Sequence, residues 1–181
     1  MLTLKYHLTE AEYFEYNYYT AWSAPDKKWY RIRYYLRVFL LYGAVAAIYI
    51  FTNHSHQLVV DLVIFGIIAT VYFLLVPYLI RRSIHKRVRD ILAQPENKHV
   101  LEEAEVVLMD TGILDRDKES ESKYTWEAIV KKAETTDSFY LYTNSYHAIV
   151  IPKRVIHNPQ DKQELQRLFN QHLPLSSEFP T

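Results

Sequence analysis

Residues 58–89 read LVVDLVIFGIIATVYFLLVPYLIRRSIHKRVR, an apolar run that ends in a cluster of basic residues. Residues 62–80 carry no formal charge. At about 1.5 Å of rise per helical residue they span roughly 28 Å, close to the thickness of a bilayer's hydrocarbon core. The hydroxyl of Thr70, one of the few polar groups in the run, can bond to the helix's own backbone. The run therefore predicts a transmembrane helix over residues 58–80.

A second apolar run, residues 34–52, comes just before the first. Residues 53–57 between the two runs suffice only for a tight loop, so we expect an antiparallel transmembrane hairpin over residues 34–80. Gly43 with Ala47, and Gly66 with Thr70, have the four-residue spacing that lets helix backbones approach closely. These small residues can face each other within the hairpin or face a second chain, so the sequence also allows a homo-oligomer.

Lysine and arginine flank the hairpin on both sides and are absent from its loop. The cations after the hairpin are Arg81, Arg82, Lys86, Arg87 and Arg89. By the positive-inside rule both flanks, and with them both termini, are predicted to be cytoplasmic. The same cluster can hold anionic lipid headgroups at about 1 kcal/mol per suitably placed charge. Lys153 and Arg154 can add to an anion-binding surface.

The polar remainder predicts one small domain, built from residues 1–33 and 95–181 and joined to the hairpin by a basic helix over 81–94. Residues 2–8 alternate like a strand, and Thr9 to Glu12 have capping-box spacing for an amphipathic helix. After Pro95 we expect extended segments and then a helix from Pro159 to about His172. The strands are predicted at about 100–109, 113–116, 123–129, 132–135, 139–143 and 146–151.

This order of elements favours an α+β membrane protein. Its cytoplasmic part would be an antiparallel half-barrel, similar to pleckstrin-homology (PH) domains, closed by the C-terminal helix. Trp126 is expected to anchor the core of that sheet rather than to serve as a stacking platform.

Three segments of the strand region resemble a known family. They are YTWEAI (124–129), ETTDSFYLY (134–142) and AIVIPKR (148–154), which are similar to the C-terminal part of the YcxB-like family of bacterial membrane proteins. The tyrosine-rich start and the central hairpin also match the layout of that family. The resemblance implies a multi-pass protein of the bacterial inner membrane, and it implies no catalytic residues.

Asp110-Thr111-Gly112 follows an apolar strand, as Asp-Thr-Gly does in aspartic proteases, where paired aspartates activate water. Those folds need further glycines, in a flap and in a supporting turn. The chain has only Gly43, Gly66 and Gly112. A strand turn that uses the conformational freedom of Gly112 is therefore favoured. A membrane-tethered hydrolase centred on Asp110 is the remote alternative.

No motif predicts a metal or a cofactor. His54 and His56 form a single His-x-His in the hairpin loop, which would need further ligands. Asp61, in the first turn of the second apolar helix, can reach the outer interface and suits a helix N-terminus. The chain has no cysteine for a thiolate site, and its formal net charge of zero argues against nucleic acid as a partner.

Together these features predict a membrane-anchored, non-enzymatic binding or scaffold module. Its sheet, or the groove beside its last helix, would recognise an unidentified protein partner. The main alternative is a sensor of anionic lipid headgroups that uses the basic cluster after the hairpin.

Overall fold

The computed structural model describes residues 1–52 and 58–173. It has long helices and two antiparallel sheets, which confirms the α+β class. His54 and His56, for which the sequence favours a polar hairpin loop over a metal site, lie outside the described residues. The α-helices are α1 (Glu10–Tyr18), α2 (Lys28–Thr52), α3 (Leu58–Leu92) and α4 (Pro159–His172). The strands are β1 (Leu2–His7), β2 (Glu103–Met109), β3 (Gly112–Arg116), β4 (Glu121–Tyr124), β5 (Lys131–Glu134), β6 (Ser138–Tyr142) and β7 (Ala148–Pro152).

The chain divides into two compact units. The helical unit is Ala21–Lys86, and the sheet unit consists of Met1–Thr20 and the chain from Arg87 onward. In the sheet unit, α1 starts with the predicted capping box. The Thr9 backbone N–H donates to Glu12 Oε2 at 2.9 Å, and the Glu12 N–H donates to Thr9 Oγ1 at 3.2 Å.

The first sheet has the strand order β1-β2-β3-β4. β1 pairs antiparallel with β2, from Leu2 opposite Leu108 to His7 opposite Glu103. The N-terminal strand thus completes a sheet whose other strands come after α3, so α1, α2 and α3 are inserted between two paired strands. Alternate residues of β1 are buried, as the two-residue period of a strand requires when one face meets a core.

The second sheet has the order β5-β6-β7 and is covered on both faces. On one face, Leu141 and Ile151 join the main core together with Leu165 and Phe169 of α4. On the other face, tyrosines of β6 pack against tyrosines of α1 and the π-helical turn that follows it. The rings in this layer belong to Tyr13, Tyr16, Tyr19, Tyr140 and Tyr142.

The predicted strand 123–129 differs from the structure. β4 ends at Tyr124, and residues Trp126–Ala128 form a 3₁₀ turn between the two sheets. The indole N–H of Trp126 donates to the Met109 carbonyl oxygen at 2.9 Å, which ties this turn to the end of β2. The chain must leave one sheet and enter the other here, so an extended conformation cannot continue.

The helical unit contains two stretches long and apolar enough to cross a membrane, by length and composition. Tyr42 of α2 donates its hydroxyl hydrogen to the Phe65 carbonyl oxygen of α3 at 2.9 Å, and the Tyr35 and Phe73 rings lie 5.5 Å apart. The predicted bond of Thr70 to its own helix is present, since Oγ1 lies 2.8 Å from the Gly66 oxygen. α3 continues beyond Pro77 to Leu92, so the predicted basic helix is mostly the last part of α3.

Candidate functional site

A groove lies beside α4, between that helix and the second sheet, with a volume of about 530 Å³. We call it the α4 groove. The sequence predicted a binding groove beside the last helix, and Lys153 is the one residue of its lining that was predicted as a site residue. Its charged and aromatic lining consists of Lys132, Glu134, Phe139, Lys153, Lys162 and Phe169.

Strand and helix periods bring these residues together. Lys132 and Glu134 lie two apart on β5 and so share a face of the sheet. Lys162 and Phe169 lie seven apart on α4, which places them on one face of the helix. To predict that these residues converge, one would have to know which face of α4 meets β5. No local sequence pattern contains that information.

The floor of the α4 groove is aromatic and its rim is basic. The Phe139 and Phe169 rings meet edge to face at 5.5 Å. The Lys153 ammonium lies 4.9 Å from the Phe139 ring centre, and the Lys132 ammonium lies 5.1 Å from that of Phe169. These are cation–π distances. Three lysines against one glutamate leave this lining with a net positive charge.

Both predicted cations at the end of β7 are paired with carboxylates. Lys153 Nζ lies 2.7 Å from Glu134 Oε1. Arg154 donates to both carboxylate oxygens of Glu12, and these hydrogen bonds raise the pKa of the guanidinium. An external anion at this position would have to compete with these two carboxylates.

The predicted basic cluster, from Arg81 to Arg89, lies on the continuous helix α3. Arg82, Lys86 and Arg89 are exposed and follow i, i+4, i+7 spacing, so they form one basic face. Arg81 comes seven residues before Val88 and so lies on that side of the helix, and the spacing puts Arg87 on a third side. Val88, on a different side of the helix from the basic face, is buried. This part of α3 is therefore amphipathic.

Asp110 lies in the turn between β2 and β3. Its Oδ1 is 2.9 Å from Arg167 Nη1, and this bond holds the pKa of Asp110 below its ordinary value. The same guanidinium contacts Glu164, whose pKa falls to about 2, chiefly through its bond to Arg167. Both carboxyls are thus stabilised in the ionised form, whereas a proteolytic dyad shares a proton. This geometry gives no support to a hydrolase centred on Asp110.

Trp126 is buried in the main core, and its ring stacks on that of His172 with centroids 4.9 Å apart. Among the described side chains, His172 Nε2 is the buried polar atom that has no hydrogen-bond partner. Asp61 lies in the first turn of α3, as expected. Within residues 1–52 and 58–173, no three histidine, aspartate or glutamate side chains come together as a metal site.

Asp115 is a candidate residue that the sequence interpretation missed. In β3 it lies two residues after Ile113, so it shares the face of the sheet that Ile113 turns to the core. Burial raises the pKa of Asp115, the positive charge of His147 lowers it, and the negative charge of Asp117 raises it again, with a net increase. The two-residue strand period from Ile113 to Asp115 was the signal that could have identified this carboxyl group.

The family model of the YcxB-like proteins matches residues 108–169. This segment is similar to that family. It covers the chain from the end of β2 into α4 and contains the three stretches that carried the resemblance, so the predicted family is confirmed there. The YcxB-like segment also contains Asp115, Trp126 and the charged and aromatic lining of the α4 groove. No curated protein and no solved structure matches the chain.

Proposed function

We propose that the protein is a non-enzymatic binding module, anchored in the bacterial inner membrane, whose α4 groove binds an acidic segment of a protein partner. The observation that carries the proposal is the lining of this groove, three lysines around two phenylalanines. Ammonium groups favour carboxylates, and the partly exposed ring of Phe139, which packs on the buried Phe169, favours apolar side chains next to it. An acidic peptide that also carries apolar residues fits this lining best.

The exposure of the two long helices supports membrane insertion. In the most apolar 18 residues of each helical stretch, the buried share is 0% for the stretch that ends with α2 and 6% for α3. The core helix of a soluble protein would be largely buried. In a bilayer, by contrast, exposed apolar side chains face lipid without the free-energy cost of contact with water. Two membrane spans therefore explain why the apolar residues of α2 and α3 are exposed.

The pairing of β1 with β2 supports a topology with both termini on one side. The inserted hairpin leaves the sheet unit after β1 and returns to it before β2. A sheet can form across this insertion only if the chain crosses the bilayer an even number of times. The lack of lysine and arginine in residues 53–57 then favours cytoplasmic termini.

A PH-like half-barrel is the fold that we propose for the sheet unit. A four-stranded meander, a three-stranded meander and a closing C-terminal helix follow one another in that order. The insertion of two spans between the first and second strands would make it a split version of such a domain.

The proposal is tested by purifying the full-length chain in native membrane patches and identifying copurified proteins by quantitative mass spectrometry. We expect a stoichiometric partner with an acidic segment, which is lost from the double variant Lys132→Glu, Lys162→Glu. The matched control is Lys118→Glu, Lys123→Glu, which reverses two exposed lysines outside this groove. A partner retained equally by both variants, or no partner with the wild type, would refute the proposal.

A second function is favoured by the basic face of α3. Arg82, Lys86 and Arg89 begin just beyond the apolar run and would meet the headgroup layer of a bilayer. Each suitably placed charge contributes about 1 kcal/mol of attraction to anionic lipid. Under this alternative, replacing all three by glutamine would strongly reduce the enrichment of anionic lipid in the patches, while Lys118→Gln with Lys123→Gln would not.

A further inference from the structure

A second cavity, of about 370 Å³, lies between the two sheets at α1 and is separate from the α4 groove. We call it the Asp115 cavity. Its volume is at the lower end of the range for small-molecule sites. The residues that matter for its chemistry are Tyr6, Tyr13, Tyr16, Asn17, Asp115 and His147.

Strand register explains why a carboxyl group is found there. Asp115 is opposite Val106, which in turn is opposite Leu4, and both of these apolar residues belong to the main core. Asp115 therefore lies in a row with two apolar core residues on one side and Ser122 of β4 on the other. Asp115 is half-buried, and among the described residues its carboxylate accepts no hydrogen bond.

The second acceptor in the cavity is the side-chain oxygen of Asn17. The amide nitrogen of Asn17 donates to the Tyr13 carbonyl oxygen at 2.8 Å, one turn earlier in α1. This bond turns the amide so that its oxygen is left without a donor among the described residues. The cavity thus offers a carboxylate and an amide oxygen to hydrogen-bond donors.

The aromatic walls are held in place by hydrogen bonds. Tyr6 donates its hydroxyl hydrogen to the Val150 carbonyl oxygen, which joins β1 to β7. The hydroxyl of Tyr16 donates to the Tyr146 carbonyl oxygen at 2.6 Å and accepts from the Ala148 N–H at 3.1 Å. Such fixed rings can contact a cation without a further loss of side-chain entropy.

The charge of the lining favours a cation over an anion. The described residues that line the cavity include two aspartates and two histidines, but no lysine or arginine. One aspartate, Asp117, already accepts the backbone N–H groups of Glu119 and Ser120 at 2.8 and 2.6 Å. Asp115 is therefore the carboxylate that remains available.

We infer that the Asp115 cavity binds a small primary alkylammonium ion. Its N–H groups would donate to the Asp115 carboxylate and the Asn17 oxygen, and its charge would lie against the rings of Tyr6, Tyr13 and Tyr16. The ligand supplies N–H donors to the two acceptors that Asp115 and Asn17 present. This site does not depend on the protein partner proposed for the α4 groove.

The test is saturation-transfer NMR on the full-length protein in amphipol, with ethylammonium chloride as the probe. We expect saturable binding at neutral pH and a loss of affinity of about tenfold or more in Asp115→Asn, because a charge-assisted hydrogen bond is removed. Asp137→Asn removes one exposed carboxylate outside the cavity and should bind ethylammonium like the wild type. Tetramethylammonium, which has no N–H group to donate to Asp115 and Asn17, should compete about tenfold more weakly or not at all.

A second variant keeps the test decisive if Asp115→Asn does not fold. Asn17→Leu removes the amide oxygen without changing the charge, and it should weaken ethylammonium binding while circular dichroism shows a folded chain. The inference is overturned if the wild type shows no saturable binding, if folded Asp115→Asn binds as well as the wild type, or if tetramethylammonium competes equally.

Discussion

The guanidinium group of Arg154, just after β7, contacts both carboxylate oxygens of Glu12 in α1. Nε lies 2.6 Å from Oε1, and Nη2 lies 2.9 Å from Oε2. The same Nη2 donates to the His7 carbonyl oxygen at 2.6 Å. One arginine side chain therefore joins the chain before the inserted hairpin to the chain after it.

Glu12→Gln should weaken the sheet unit by about 1 kcal/mol at neutral pH, because glutamine keeps the capping box but loses the ion pair. Burial raises the pKa of Glu12, yet the bonds with Arg154 and Thr9 hold it below its ordinary value overall. The ion pair therefore stabilises the fold above the ordinary pKa, and this contribution is lost as the pH falls through the lowered pKa. Urea unfolding over a pH series measures this contribution to the free energy of unfolding.

The control for this measurement is Glu10→Gln, which removes an exposed carboxylate in the same turn of α1. It should leave the free energy of unfolding unchanged within about 0.5 kcal/mol. If Glu12→Gln lost the same stability at low and neutral pH, the loss could not be assigned to the ion pair.

Gly112→Ala should destabilise the sheet unit by about 2 kcal/mol or more. Gly112 has a φ of +149°, and an added Cβ would overlap the Tyr124 carbonyl oxygen. Gly66→Ala in α3 is the matched control, because a Cβ there meets nothing within 4 Å. Thermal unfolding followed by circular dichroism compares the two variants. Equal unfolding temperatures would show that the turn adapts to a side chain.

Asp115→Asn should make the protein more stable at neutral pH. Burial is the largest cause of the raised pKa of Asp115, so the folded state disfavours its charged form. The wild type should lose stability as the pH rises from the ordinary aspartate pKa through the raised one, and the variant should not. Urea unfolding at acid and neutral pH checks this. If the variant were less stable than the wild type at neutral pH, the charge of Asp115 could not be destabilising the folded state.

Single cysteines can test the proposed topology, because the chain has no cysteine. In intact spheroplasts, a membrane-impermeant maleimide should label Ser55→Cys in the hairpin loop. It should label Glu119→Cys, an exposed position between β3 and β4, only after lysis. The unaltered chain is the control for background labelling. Labelling of Glu119→Cys before lysis would contradict cytoplasmic termini.

Local and periodic features of the fold could be predicted from the sequence. The capping box of Thr9 and Glu12, the bond of Thr70 to its own helix and the extent of α4 all depend on residues a few positions apart. The pairing of Leu2 with Leu108 depends on a contact across the whole hairpin, and no spacing rule provides it. Likewise, the turn at Trp126 forms because the chain changes sheets, which overrides the extended tendency of TWEAI.

The candidate sites likewise differ in whether local spacing or tertiary contacts form them. The basic face of α3 could be identified because helical spacing alone produces it. The α4 groove combines β5, β6 and α4, so its lysines could be assembled only once the sheet order was known. The position of Asp115 on the core face could be predicted, since it lies two residues after Ile113. That no donor contacts its carboxylate depends on the tertiary structure and could not be predicted.

The most direct test of the central claim is photo-crosslinking from inside the α4 groove in living cells. Gln166, which lines the groove, is replaced by p-benzoylphenylalanine, and Lys123 on β4 serves as the control position. We predict one crosslinked protein partner from position 166, lost when Lys132→Glu and Lys162→Glu are added, and none from position 123. No crosslink from position 166, or the same crosslinks from both positions, would contradict a binding module that uses this groove.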